Sequence, residues 1–439
     1  VIPGIVCAAN PAETYTLYLP SSYRPDRAWP VVYAFDSRGI DNDRDMIELF
    51  RPGAERFGFV VASSGNSSNV RPMEDNFRSL GAIWTDTHAR LALDDRRAYA
   101  FGFSGMSRFT TMAAIRAPGT LAGVIGASGG FPVGHPPSRE TSFPFFGLAG
   151  DRDFNYYEML DLEAQLAAAG VPHRIDLFDG SHQWPTEELV TRALGWIELQ
   201  AMKQGTRAKD PSLIEALWAE DLARARALQG WRAWRVWTAM ARDYAGLRDV
   251  SHVSDAEKQA AALAADPAFQ RARKEREARD RRDREYLERA PRVFNAVPAE
   301  TGPDSVSQLL ADLQIPDLKK KEKSADPEER LSAARLLYAV YIQTGLYLPR
   351  TYMERKQWDR AILFLEVAAE VDPDSPRIPY RLATAWAGQG NRKKALEALQ
   401  RAVEKGGTGL AEIEKDPALE PLRQDAGYRE LVAALKRKG

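Results

Sequence analysis

Cysteine is nearly absent from this chain. The one copy, Cys7, has no partner within the 439 residues, so an internal disulfide framework is excluded. Histidine is almost as scarce: five copies are scattered along the chain, none in a Cys/His cluster with zinc-ligand spacing, and structural zinc is excluded with it. Net charge is missing as well. With 60 Lys plus Arg against 61 Asp plus Glu, there is no basic surplus of the kind that marks a nucleic-acid binder. Long apolar runs are also lacking. The longest, such as Val31–Phe35 and Phe57–Ala62, fall far short of the roughly 18 residues that cross a bilayer, so a soluble protein without a membrane span is expected. The chain begins at Val1 rather than Met. The expected location is extracytoplasmic, secreted or periplasmic, with the cytoplasm left open.

The residues that are present change character along the chain. Of 31 glycines, 19 fall in the first 200 residues, where short β-rich apolar runs alternate with helical stretches. That alternation predicts an α/β domain with a mostly parallel sheet covered by helices on both faces. Strands are expected at Tyr15–Leu19, Val31–Asp36, Phe59–Ser63, Ala98–Phe103, Ala122–Ala127, Phe143–Ala149 and Arg174–Phe178. From about Gly205 the β signal disappears, and long stretches of Ala, Leu, Arg and Glu predict an all-α second half. Phe269–Arg292, dense in Arg, Glu and Asp, reads as a solvated helix laced by i,i+4 pairs. The polar stretch Pro298–Asp304 and the run Lys319–Lys321 read as linkers. Near the C-terminus, Ala361, Leu365 and Ala368 recur 34 residues later as Ala395, Leu399 and Ala402. The expected organisation is therefore a catalytic domain over residues 1–204, a helical linker region over 205–329 and a repeat domain over 330–439.

The chemistry lies in the first part. The strand Ala98–Phe103 runs into Ser104–Gly105–Met106 and then a helical stretch. A serine in a tight strand-to-helix turn has its Oγ thrust into the open above a helix N-terminus, which favours developing negative charge. Ser128, in Gly126–Ala127–Ser128–Gly129–Gly130, fits the usual G-x-S-x-G pattern better, but the proline-rich residues that follow cannot form a helix. Ser104 is the expected nucleophile. A base and an acid should follow it on later loops, in the order Ser, Asp, His. Asp153, three residues past Gly150, is preferred to Asp151, and His182 in Gly180–Ser181–His182–Gln183–Trp184 is the expected base. His88, His135, His173 and His252 read as ordinary surface or core residues. Two backbone N–H groups are needed for the oxyanion. Gly105 supplies one, and the loop Asp36–Ser37–Arg38–Gly39 supplies the other, with Arg38 preferred to Ser37.

With Ser104, Asp153 and His182 in that order on alternating strands and helices, residues 1–204 resemble the α/β-hydrolase superfamily. Leu19–Pro20–Ser21–Ser22–Tyr23, Gly102–Phe103–Ser104–Gly105 and Asp153–Phe154–Asn155–Tyr156 look most like its bacterial esterase branch, near the dienelactone hydrolase and feruloyl esterase types. The resemblance implies a carboxylic ester hydrolase that works through an acyl-enzyme, without cofactor or metal. Met106 stands where the pattern has glycine, and Asp36–Ser37 where related enzymes often carry His-Gly. About 14 residues separate Ser128 from Phe143, too few for a lid. Phe131, Tyr156, Tyr157 and Trp184 are candidate lining residues. The 34-residue offset near the C-terminus resembles the tetratricopeptide repeat, with Pro373 ending a helix. That resemblance implies a module that binds a peptide or protein, or drives self-association. The competing readings are an interaction scaffold whose hydrolase domain is degenerate and a serine peptidase on the same fold.

Overall fold

The computed structural model describes residues 1–39, 42–297 and 305–438, so the expected linker Pro298–Asp304 lies outside the described residues. They group into two compact units, Val1–Ala278 and Arg279–Gly439.

In the first unit the strands are β1 (Ile2–Cys7), β2 (Asn10–Tyr18), β3 (Trp29–Phe35), β4 (Val60–Ser64), β5 (Leu93–Phe103), β6 (Gly123–Ala127), β7 (Phe145–Gly150) and β8 (His173–Phe178). They form one sheet in the order β1-β2-β4-β3-β5-β6-β7-β8. β1 pairs with β2, and β2 with β4, antiparallel; every later pairing is parallel. The parallel strands β3, β4, β6 and β7 are buried along their whole length, as strands covered on both faces must be.

Four helices fill crossovers, α1 (Asp43–Phe57), α2 (Met73–Arg90), α3 (Gly105–Arg116) and α4 (Tyr156–Ala169), and α5 (Glu187–Lys203) follows the last strand. α1 turns Met46, Ile47, Leu49 and Phe50 inward at helical spacing and ends at Gly58, whose left-handed φ of 73° favours glycine. With α5 it covers one sheet face, in a core that includes Val32, Phe101, Phe146 and Trp196. The other face is covered by α2, α3 and α4, through Ile83, Phe109 and Leu162. This is the α/β-hydrolase fold, a mostly parallel sheet with helices on both faces.

β1 was not among the expected strands. Its residues are largely exposed, Gly4 breaks it with a φ of 65°, and no buried alternation marks it in the sequence.

Four further helices continue the chain: α6 (Pro211–Ala227), α7 (Gly230–Asp243), α8 (Val250–Ala265) and α9 (Pro267–Asn295). Trp218 packs with Leu199 and Met202 of α5 and with Met240 and Tyr244, and Trp237 flanks the same cluster. Trp231 carries Arg276 3.2 Å above its ring. The edge strand β8 is tied to α6 and α7 by buried charges. Arg174 bonds Asp221 through Nη1 at 2.9 Å and Nη2 at 2.6 Å, and reaches Asp243 at 3.4 Å and Asp176 at 3.2 Å. Arg224 of α6 and Arg192 of α5 close the far side of Asp176.

In the second unit come α10 (Ser305–Asp312), α11 (Ile315–Lys321) and α12 (Pro327–Ile342), then a short π-helical turn, Gln343–Tyr347. The Lys319–Lys321 run, expected as a linker, instead ends α11: Ile315 and Leu318, three residues apart, bury one face and leave the lysines on the other side. Next are α13 (Leu348–Glu354), α14 (Trp358–Val371), α15 (Arg377–Gln389), α16 (Arg392–Glu404), α17 (Leu410–Lys415) and α18 (Ala426–Lys438). The repeated Ala361, Leu365, Ala368, Ala395, Leu399 and Ala402 are all fully buried, where small residues let helices approach closely. Among the described residues no helix is long and apolar enough to cross a membrane.

Candidate active site

Ser104 sits at the turn between β5 and α3 with φ 58° and ψ −122°, a conformation that non-glycine residues adopt only under strain. The turn is tight because β5 and α3 nearly touch. A Cβ built on Gly102 would lie 2.1 Å from the carbonyl oxygen of Met106. The glycine that close approach requires is thus Gly102. Met106 points the other way, into the core with Tyr33, Phe35 and Phe109. Ser104 N–H donates to Ala127 O at 2.7 Å, which fixes the elbow to the neighbouring strand.

From this turn a hydrogen-bonded chain runs across the carboxyl edge of the sheet. Ser104 Oγ lies 2.9 Å from His182 Nε2, and His182 Nδ1 lies 2.9 Å and 3.1 Å from the two oxygens of Asp153. A carboxylate accepts, so Nδ1 carries the proton and Nε2 turns its lone pair towards the serine hydroxyl. Asp153 is fully buried and also accepts from the Asn155 N–H at 2.8 Å. Asn155 Nδ2 in turn donates to Ser128 O at 2.8 Å, which anchors the acid loop to the end of β6. The His182 ring lies between Phe103 and Phe154, at 5.1 Å and 4.4 Å between centroids. The structure therefore brings Ser104, Asp153 and His182 together from 49 and 29 positions apart in the sequence.

The alternatives lie elsewhere. Asp151 bonds Arg232 of α7 at 2.9 Å and accepts from the Gly180 N–H at 3.3 Å. Ser128 has a φ of 55° but is fully buried, and its Oγ has no hydrogen-bond partner among the described residues. His173 is buried, with Nδ1 on Val171 O and Nε2 beside Arg242, and burial pushes its pKa below the ordinary value. His88 stacks on Trp84.

Gly105 opens α3, so its N–H belongs to the unsatisfied first turn of a helix. Arg38 follows β3 and forms an isolated antiparallel bridge with Ser68; the bond itself runs from Asn69 N–H to Ser37 O and does not use the N–H of Arg38. The Arg38 side chain bonds the buried Asp36 at 3.0 Å and lies 3.9 Å above the Trp184 ring. Trp184 Nε1 donates to the other Asp36 oxygen at 3.1 Å. Of the expected lining residues, Phe131, Tyr156 and Tyr157 are buried in packing, and Trp184 is half-buried. Among the described residues, no three His, Cys, Asp or Glu side chains gather as a metal site would require.

One residue escaped sequence reasoning. A Cβ built on Gly105 would fall 2.2 Å from Oδ1 of Asn69, so the Asn69 carboxamide lies against the elbow. The available signal was positional: Asn69 follows β4, at the carboxyl edge of a parallel sheet, where loops of such folds gather ligands.

The tetratricopeptide repeat family matches residues 352–413. No curated protein matches the chain. Among solved structures, S-formylglutathione hydrolase (FrmB) from Staphylococcus aureus is similar over 42% of this chain and 90% of its own, at 14% identity and a TM-score of 0.35. Est1E from Butyrivibrio proteoclasticus is similar over 44% and 95%, at 12% identity and a TM-score of 0.35. A thermostable esterase is similar over 45% and 62%, at 19% identity and a TM-score of 0.37. The strand order of the first unit is that of the α/β-hydrolase fold, and the tetratricopeptide match falls on helices of the second unit.

Proposed function

We propose that this chain hydrolyses carboxylic esters through an acyl-enzyme on Ser104. The observation that carries this reading is the continuous hydrogen-bonded chain from Ser104 Oγ through His182 to the buried Asp153, with the serine on a strained elbow. As Oγ attacks the ester carbonyl carbon, its proton passes to His182 Nε2, and Asp153 stabilises the imidazolium that forms. The carbonyl oxygen becomes an oxyanion, held by the N–H groups of Gly105 and Arg38. Collapse of that intermediate expels the alcohol, which takes the proton from His182. Water then repeats the sequence on the acyl-serine and releases the acid. Apart from the ester and the hydrolytic water, every group these steps need is a side chain or backbone N–H of this chain, so the scheme calls on no cofactor or metal. The helical repeats are assigned to binding a protein or peptide, or to self-association.

The test is turnover of p-nitrophenyl esters of increasing acyl length, run beside peptide p-nitroanilides. Ester cleavage without anilide cleavage is expected. Anilide cleavage at comparable rate would make the protein a peptidase, and failure on both would leave the scaffold reading.

A further inference from the structure

We propose that the Asn69 carboxamide is a third donor to the oxyanion, beside the N–H groups of Gly105 and Arg38; this rests on the ester hydrolysis proposed above. Three observations place it. The built Gly105 Cβ falls 2.2 Å from Oδ1, 2.7 Å from Cγ and 2.9 Å from Nδ2 of Asn69, so the carboxamide covers the Cα of the residue whose N–H is one expected donor. The Asn69 N–H donates to Ser37 O at 3.0 Å, so the same residue is tied to the loop that presents Arg38, the other expected donor. Asn69 therefore bridges the two loops that build the oxyanion site.

The third observation is that its side chain is uncommitted. Asn69 is exposed, and its carboxamide has no hydrogen-bond partner among the described residues. The other two asparagines near this loop have their carboxamides engaged in hydrogen bonds. Asn66 Oδ1 accepts from Thr14 N and Oγ1, and Asn76 exchanges bonds with the backbone of Ser68. A half-turn about Cβ–Cγ exchanges the oxygen and nitrogen of Asn69 at no cost in bonds, so Nδ2 is free to donate to a carbonyl oxygen as it gains charge. A neutral donor gains most when that oxygen is an anion, which concentrates its effect in kcat rather than KM.

The experiment compares Asn69→Ala and Asn69→Asp with wild type in p-nitrophenyl ester turnover and in inhibition by an aryl trifluoromethyl ketone, whose serine adduct carries the same oxyanion. Loss of one such donor lowers kcat by about 100-fold or more in a closed site. At this exposed position roughly tenfold is expected for Asn69→Ala, with KM little changed and ketone affinity lowered by the same factor. Asn69→Asp keeps the shape but sets an anion beside the oxyanion, so it should be the worse of the two. Gly105→Ala gives an independent check: it keeps the backbone N–H while its Cβ pushes the carboxamide aside. It should slow the wild type but add little to Asn69→Ala. Asn69→Asp equal to wild type, or Asn69→Ala unchanged in kcat, overturns the inference while leaving ester hydrolysis intact. A wild type whose turnover survives Ser104→Ala overturns both.

Discussion

Replacing Asp221 by alanine should destabilise the protein far more than replacing its neighbour Glu220. Asp221 is 6% exposed and holds both Nη atoms of Arg174, at 2.9 Å and 2.6 Å, while its Oδ2 also accepts from Tyr244 at 3.2 Å. Arg174 is itself 2% exposed, so the substitution strands a buried guanidinium on its longer contacts to Asp176 and Asp243. Removing one partner of a buried pair costs about 3–5 kcal/mol. For a domain of this size that corresponds to a fall in Tm of roughly 6–20 °C. Glu220 pairs with Arg56 at the surface, the two side chains being 53% and 35% exposed. Its loss should cost about 1 kcal/mol at most. Thermal unfolding followed by circular dichroism separates the two, and equal Tm values would refute the idea that this cluster clamps α6 and α7 to β8. The sign with pH can be worked out as well. Burial alone would raise the Asp221 and Asp176 carboxyls, but the Arg174 guanidinium overrides it and holds both below the ordinary carboxylate range. Their contribution is complete above the unfolded value of about 3.9 and is lost as pH falls through the lower folded values. Below pH 4 the wild type should therefore lose stability more steeply than Asp221→Ala, as urea midpoints measured down the pH scale would show.

Other outcomes follow from the same structure. A fragment ending at 204 loses Asp221, Arg224, Arg232 and Asp243; it should be insoluble or unfolded, whereas one ending at 278, where the first compact unit ends, should keep ester turnover. Soluble yield and p-nitrophenyl ester rates decide this. Gly102→Ala should abolish soluble, active protein, because the new Cβ would lie 2.1 Å from backbone that cannot yield; wild-type activity there would contradict the close approach at the elbow. His182→Ala should lower kcat by several orders of magnitude, and Asp153→Asn should be less severe. Asp151→Asn, which touches Arg232 rather than His182, should act mainly on stability, and a larger kcat loss there than at Asp153 would count against the assignment.

Much of this site was legible from local pattern. The run from Ala98 to Phe103, a serine and then a helix-forming stretch identified the elbow even with Met106 in the glycine position, because strand-to-helix context carries more information than the motif. The structure explains the substitution: the close contact falls on Gly102. The alternating runs of the parallel strands were legible because both faces are buried. β1 was not, since an exposed edge strand lacks that pattern. Lys319–Lys321 looked like a linker because charge hides a helix whose buried face is only Ile315 and Leu318. Asn69 offered the sequence only a positional signal, since its place beside Gly105 depends on how the loop after β4 meets the loop after β3.

The central claim is that Ser104 is an activated nucleophile. Its most direct test is labelling of the intact protein by a fluorophosphonate, with the adduct located by peptide mass mapping in wild type, Ser104→Ala and Ser128→Ala. A single adduct on Ser104, absent from Ser104→Ala and retained in Ser128→Ala, is the result this account predicts. An unlabelled wild type, or an adduct that survives in Ser104→Ala, would contradict it.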